Sequence, residues 1–391
     1  MWRPHTLALL LVLAPLVAPA HHASQTTAAA LPYTRLPYTH QYALAARGLT
    51  REGAYLRAAP AFAAARLALL PAGTALAVDG WATDAGGAAW YHTASTSAGA
   101  SASVVGAVSG WVYGDAVTLD RGIPARATLA VAPFTGKGMW ATYGLLQRAS
   151  AAAIVSAARA AGLSHLYVEV GRANRGFYGG PGLATLLPAA HAAGLKVIAW
   201  IYPFLRDLPF DIATGVAAAT YTTPSGDRPD GLLADVEENT GEGAVRAYGA
   251  ILRATLGPDE PMAIATFPPQ WSGGRAYPFA TAALSWDAIV PMDYWRLRRR
   301  PYSAAEVYRF VRDSVTLIKA RTRPDEPVEV LGQMFDLYRT GANSPGAAEI
   351  AACAAAARDS GAIGVSFFEW SHATSAEWNA LTALTAPPAV P

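Results

Sequence analysis

"DGLLADVEEN", residues 230–239, runs through four apolar positions to two carboxylates, Asp235 and Glu237, one residue apart. On a strand, residues two apart share a face, so both carboxylates point one way and Val236 the other. Only 15% of the sequence is charged, yet this pair stands at the end of what reads as a buried strand. The same texture, a short apolar run closed by polar or aromatic residues, recurs at 137–143, 165–171, 196–203, 262–268, 288–295, 328–335 and 364–370, with 231–237 the fourth in order. Stretches with a helical apolar face follow each of them, at 150–162, 183–194, 210–222, 241–257, 276–284, 304–322, 347–361 and 375–384. Eight strands alternating with eight helices predict a (β/α)8 barrel spanning 137–385. A doubly wound open sheet is the alternative, but no Gly-rich phosphate turn follows the first strand.

In such a barrel the site lies where strands end and βα-loops begin. Those positions hold Glu169, Trp200, Tyr202, Asp235, Glu237, Thr266, Asp293, Tyr294, Trp295, Gln333, Glu369 and Trp370, so carboxylates and aromatic rings converge on one mouth. Two neighbouring carboxylates in a partly desolvated mouth repel, and one keeps its proton to higher pH. A carboxylic acid so raised can protonate a glycosidic oxygen while its partner stabilises developing positive charge, and Trp and Tyr faces pack on sugar rings. The competing reading of Glu237 is an ion pair with Arg172 or Arg206, and of Glu169 a pair with Arg172 or Arg175.

The fourth strand resembles that of family 18 chitinases, which reads D-x-x-D-x-D-x-E. Asp230, Asp235 and Glu237 fill its first, third and fourth acidic positions, and Leu233 replaces the second. The resemblance implies that Glu237 is the general acid and that Asp235 orients the N-acetyl group of the substrate. Residues 291–295, "PMDYW", resemble the family's Met-x-Tyr-Asp with the order changed, which brings Asp293 and Tyr294 in as assistants; Trp370 falls where a floor Trp closes the sugar site. The family's Ser-x-Gly-Gly on strand three is absent. "LLADVE" is also similar to the central Asp-x-Glu of family 25 lysozymes, although Trp140 and Thr142 stand on the first strand where that family carries an Asp. With Glu169, Trp200, Tyr202, Gln333, Glu369 and Trp370 as substrate contacts, these resemblances imply hydrolysis of a β-linked, N-acetylated polysaccharide such as peptidoglycan or chitin. A non-catalytic glycan receptor on the same scaffold is the alternative.

Upstream, residues 46–119 are short alternating runs broken by Gly and Pro, which predict a small antiparallel barrel. Leu56–Pro60, Leu70–Thr74, Trp90–Tyr91 and Gly110–Asp115 resemble the conserved runs of bacterial SH3-like domains, and that resemblance implies a wall-contact module. Residues 1–20, with Arg3, an apolar stretch and Ala18-Pro19-Ala20, read as a secretory signal peptide; 21–45 reads as a flexible spacer and 120–136 as a linker. The apolar stretch is short and broken by Pro15, against a retained membrane anchor, so the expected location is secreted or envelope.

Other classes fare worse. Net charge is +2 and the one basic run, 296–300, is short, which argues against nucleic acid. His165, His191 and His372 lack metal-ligand spacing, no Gly-x-Ser-x-Gly elbow is present, and no cofactor is expected. Cys353 is the single cysteine and sits in an Ala-rich helical stretch, as a buried structural thiol would.

Overall fold

Burial and strand pairing separate an all-β unit from a closed parallel barrel that follows it. The computed structural model describes residues 42–84, 86–97, 109–120, 128–271, 277–298, 300–336 and 343–385. The segment read as a signal peptide lies outside them.

Among the described residues the first unit has seven strands: β1 (Tyr42–Thr50), β2 (Ala54–Arg57), β3 (Arg66–Leu70), β4 (Ala75–Thr83), β5 (Ala89–Ser97), β6 (Gly110–Tyr113) and β7 (Val117–Asp120). They form one antiparallel sheet in the order β3-β2-β6-β5-β4-β1-β7. Alternation puts Leu56, Leu76, Val78, Tyr91 and Val112 in its core. β1 already includes Tyr42, inside the stretch read as a spacer, and Tyr42 stacks on Trp81 with ring centroids 4.5 Å apart.

The barrel follows as β8 (Gly136–Ala141), α1 (Tyr143–Arg148), α2 (Ala151–Ala160), β9 (His165–Arg172), β10 (Gly176–Phe177), α3 (Gly180–Ala192), β11 (Lys196–Tyr202), α4 (Leu208–Ala219), β12 (Gly231–Asp235), α5 (Glu242–Leu256), β13 (Met262–Thr266), α6 (Phe279–Ala282), β14 (Ala288–Pro291), α7 (Ala304–Arg321), β15 (Glu329–Gln333), α8 (Ala347–Asp359), β16 (Gly364–Phe368) and α9 (Ser375–Ala383). All eight expected strands are present. They pair in parallel in the order β14-β13-β12-β11-β9-β8-β16-β15. Bridges Ile289–Val328 and Met292–Leu331, with the Asp293 N–H donating to the Leu331 carbonyl at 2.8 Å, join β14 to β15 and close the ring. The fold is therefore a (β/α)8 barrel, as expected, and the open sheet is ruled out by that closure.

The strands are largely apolar on both faces, since both are covered. Leu166, Val168, Val197, Ile201, Leu232, Ala234 and Ile264 pack outward on the helices. Trp140, Tyr167, Ile198, Leu233, Ala263, Leu331 and Phe368 fill the interior. At its lower end His165 Nε2 lies 3.0 Å from Glu329 Oε1, and the Tyr167 hydroxyl donates to Glu329 Oε2. Gly138 makes room for this ring, because a Cβ there would stand 2.0 Å from His165 Nε2. The second half of the stretch read as a linker is a 3-10 turn, Thr128–Phe134, whose Val131 and Phe134 plug the barrel floor. Among the described residues no helix is long and apolar enough to cross a membrane.

Candidate active site

Parity along each strand decides which side chains reach the mouth. On β12, Leu233 faces inward, so Asp235 and Glu237 do too, while Val236 packs on the helices. Asp235 is buried and Glu237 partly so. Burial, then the Glu237 charge, raises the Asp235 carboxyl well above the usual carboxylate range; Trp200 and Arg172 pull the other way. Burial and the neighbouring Glu238 push Glu237 up to about 7, with Arg172 opposing. The Trp200 indole N–H, from the neighbouring strand, favours the charged form of Asp235.

Around the pair stands an aromatic wall. Trp200 packs edge-on to Trp140 at 4.8 Å and to Phe368 at 5.9 Å, and Tyr294 lies 5.2 Å from Phe335 and 6.0 Å from Phe368. Burial and the charges of Asp235, Glu237 and Glu369 keep the Tyr294 hydroxyl protonated far above its ordinary range. Tyr202 is held neutral in the same way by burial and by Glu237 and Asp235. Phe267, just after β13, lies 6.2 Å from Trp271, the two rings tilted by 30°.

Glu169 also points inward, but its oxygens are committed. Oε1 accepts from the Tyr178 hydroxyl at 2.6 Å and Oε2 from the Tyr143 N–H at 3.2 Å, so it shapes the loops after β8 and β9. The expected partner Arg172 stands 3.9 Å away. Gln333 is interior and buried; its Oε1 accepts from the Arg296 N–H at 3.0 Å and its Nε2 donates to the Phe335 carbonyl at 2.9 Å, which fixes the loop after β14. Glu369 is buried, 3.2 Å from His372 Nδ1, within electrostatic reach of Tyr294.

Three residues expected at the mouth are elsewhere. Asp293 follows an inward Met292, so its carboxyl faces outward, fully buried beside Ser314 of α7 and within reach of Cys353 of α8. Trp370 packs on Trp378 of α9, centroids 4.7 Å apart, and Phe368 is the aromatic residue of β16 that lines the interior. Trp295 likewise leaves the mouth, donating its indole N–H to Glu349 at 2.7 Å. Of the ion pairs weighed for Glu237, Arg206 instead binds Glu238 at 2.7 Å. Asp230, the first acidic residue of the strand-four pattern, works at the opposite end, accepting from the Val197 N–H at 2.8 Å and from Lys196 at 2.9 Å. Sequence reasoning misses Trp140, Phe368 and Arg172 as site residues; the first two obey the strand parity that could have found them. Among the described residues no group of His, Cys, Asp and Glu is arranged to hold a metal ion.

Beside the mouth a cavity of about 420 Å³ opens between the two units, lined by Gly87, Tyr113 and Asp115 on one side and Leu205, Arg206 and Asn239 on the other. Arg246 of α5 bridges the seam, donating to the Asp115 carbonyl at 3.3 Å.

No family model matches the sequence, and no curated protein does. Similar solved structures include the spore cortex-lytic enzyme SleL of Bacillus cereus, at 10% identity and a TM-score of 0.48 over 70% of this protein and 88% of that one. The class V chitininase from Pseudomonas fluorescens Pf-5 has 12% identity and a TM-score of 0.47 over 64% and 99%. A chitinase from Chromobacterium violaceum has 12% identity and a TM-score of 0.48 over 63% and 98%. The barrel assignment itself rests on the strand pairings described above.

Proposed function

We propose that this protein is an exported glycoside hydrolase acting on a β-linked, N-acetylated polysaccharide of the peptidoglycan or chitin type. The observation that carries this reading is the Asp235–Glu237 pair, held on one face at the barrel mouth beneath Trp200, Tyr202 and Tyr294. Glu237 gives its proton to the glycosidic oxygen as the bond from that oxygen to C1 breaks. The substrate's acetamide carbonyl oxygen closes on C1 while a carboxyl oxygen of Asp235 accepts the acetamide N–H. Water then attacks C1 and passes its proton to the Glu237 carboxylate, which restores the acid. Tyr294, kept neutral, is a hydrogen-bond donor to the acetamide oxygen. The likeness of strand four to family 18 chitinases supports these roles, and the N-terminal stretch supports export. The small unit is assigned wall contact on its SH3-like sequence runs.

One observation favours a second reading, a glycan receptor without turnover: Leu233 stands beneath Asp235 where the resembling family has a carboxylate. Mass spectrometry of peptidoglycan and chitin oligomers incubated with the protein separates the two. The hydrolase predicts products from the wild type and at least a hundredfold fewer from Glu237→Gln, about the share of a general acid. Saturable binding of the wild type with no product selects the receptor.

A further inference from the structure

Arg172 reaches the mouth only because β9 is bulged. Opposite β11, Trp200 pairs with Glu169, but Ile201 pairs with Gly171 and Tyr202 with Arg172, so one extra residue is taken up at Val170. Val170 is packed with the outer core, and a Cβ on Gly171 would point at Thr214 and Ile201. Two successive residues thus face the helices, and the next one, Arg172, is turned inward beside Tyr202. Bulges next to sites re-aim a side chain in this way.

The guanidinium placed there has spare capacity. It lies over the Tyr202 ring at 4.8 Å and 3.9 Å from Glu169 Oε1, and forms no hydrogen bond among the described residues. Glu169 has already given both oxygens to Tyr178 and Tyr143. The Arg172 charge acts on Asp235 and Glu237, yet burial, with the Glu237 charge acting on Asp235 and the Glu238 charge on Glu237, keeps those two carboxyls protonated to higher pH than usual, so they compensate it only in part. Arg175, from the same loop, lies over Tyr178 at 4.4 Å and adds a second cation. A stacked guanidinium, 23% exposed and opening on a sugar site, offers a planar fork of N–H donors that matches a carboxylate.

We propose that Arg172 binds a carboxylate on the glycan itself, making the substrate an acidic polysaccharide rather than neutral chitin. This rests on the glycan site proposed above. The carboxylate could belong to a lactyl ether, as on muramic acid in peptide-free glycan strands, or to C6 of a uronic acid.

The test is a cycle of two changes, one in the protein and one in the ligand. Calorimetry on Glu237→Gln, which keeps the glycan intact, measures affinity for peptide-free peptidoglycan strands, for an N-acetylated oligosaccharide containing uronic acid, and for the carboxyl-reduced form of each. The expected result is at least tenfold tighter binding of one acidic ligand over its reduced form, with that ratio falling to near one when Arg172→Gln is added and partly restored by Arg172→Lys. Which ligand shows the preference identifies the carboxylate. Equal affinity for acidic and reduced ligands, or a ratio untouched by Arg172→Gln in a variant whose melting temperature is preserved, overturns the proposal. Carboxylate preference with no turnover by the wild type leaves the arginine site standing and removes the hydrolase.

Discussion

At neutral pH the Glu237 carboxyl sits near its own midpoint, pushed up to about 7 by burial and by Glu238 against the pull of Arg172. Its ordinary value is 4.5, so between those two pH values the folded protein binds more protons than the unfolded one. Stability therefore falls as pH rises through that window, the sign opposite to a carboxylate held in a salt bridge. Glu237→Gln removes the titration, so its melting temperature should climb relative to the wild type from pH 4.5 to pH 8. A constant difference across that range, read by scanning calorimetry, would contradict the burial effect. The same strand parity that makes Asp235 and Glu237 legible in the sequence also separates Tyr294 from Asp293. Position in a motif suggests both; Met292 inward and Asp293 outward show that the face decides.

Among elements, β9 departs most from regular geometry. Nothing in "HLYVEVGR" announces an extra residue, since Gly171 is compatible with either register and the outcome is set by Ile201 and Thr214 behind it. A Cβ on Gly171 would lie 2.8 Å from Thr214 Cγ2 and 3.0 Å from Ile201 Cγ2. Gly171→Val should cost about 1–3 kcal/mol by overpacking, measured as a lower urea midpoint. It should also displace Arg172, so the variant loses affinity for acidic glycan along with stability. Helix boundaries are easier to read, because local chemistry sets them: Ser303 with Glu306 and Thr374 with Glu377 form capping boxes that start α7 and α9. Within 277–284 the helix is a single turn, Phe279–Ala282, in which Phe279 is buried.

For the whole molecule, the turn Thr128–Phe134 before the first barrel strand proves to be part of the barrel. Phe134 is fully buried in the interior cluster, and its ring would lie 3.2 Å from a Cβ on Gly231, so the floor is built around it. Phe134→Ala should destabilise the protein by about 3–5 kcal/mol in denaturant titration, the range for emptying a buried aromatic site. A substitution in a mere linker would leave the midpoint unchanged. The antiparallel unit is likewise joined to the barrel, since Asp115 accepts from Arg246 and lies 2.9 Å from where a Cβ on Gly243 would stand. That seam puts the cavity lined by Tyr113 and Asn239 next to the mouth, a neighbourhood that spans more than a hundred residues of sequence.

The sequence alone determined the alternation of strands and helices, the barrel it implies, and the inward pairing of Asp235 with Glu237, because these follow from local periodicity and the two-residue repeat of a strand. Only the tertiary structure decided that Asp293 and Trp370 turn to the helices, that Phe134 belongs to the floor, and that a bulge brings Arg172 to the carboxylates. Those outcomes depend on what packs behind each backbone position, and the packing partners are far away in the sequence.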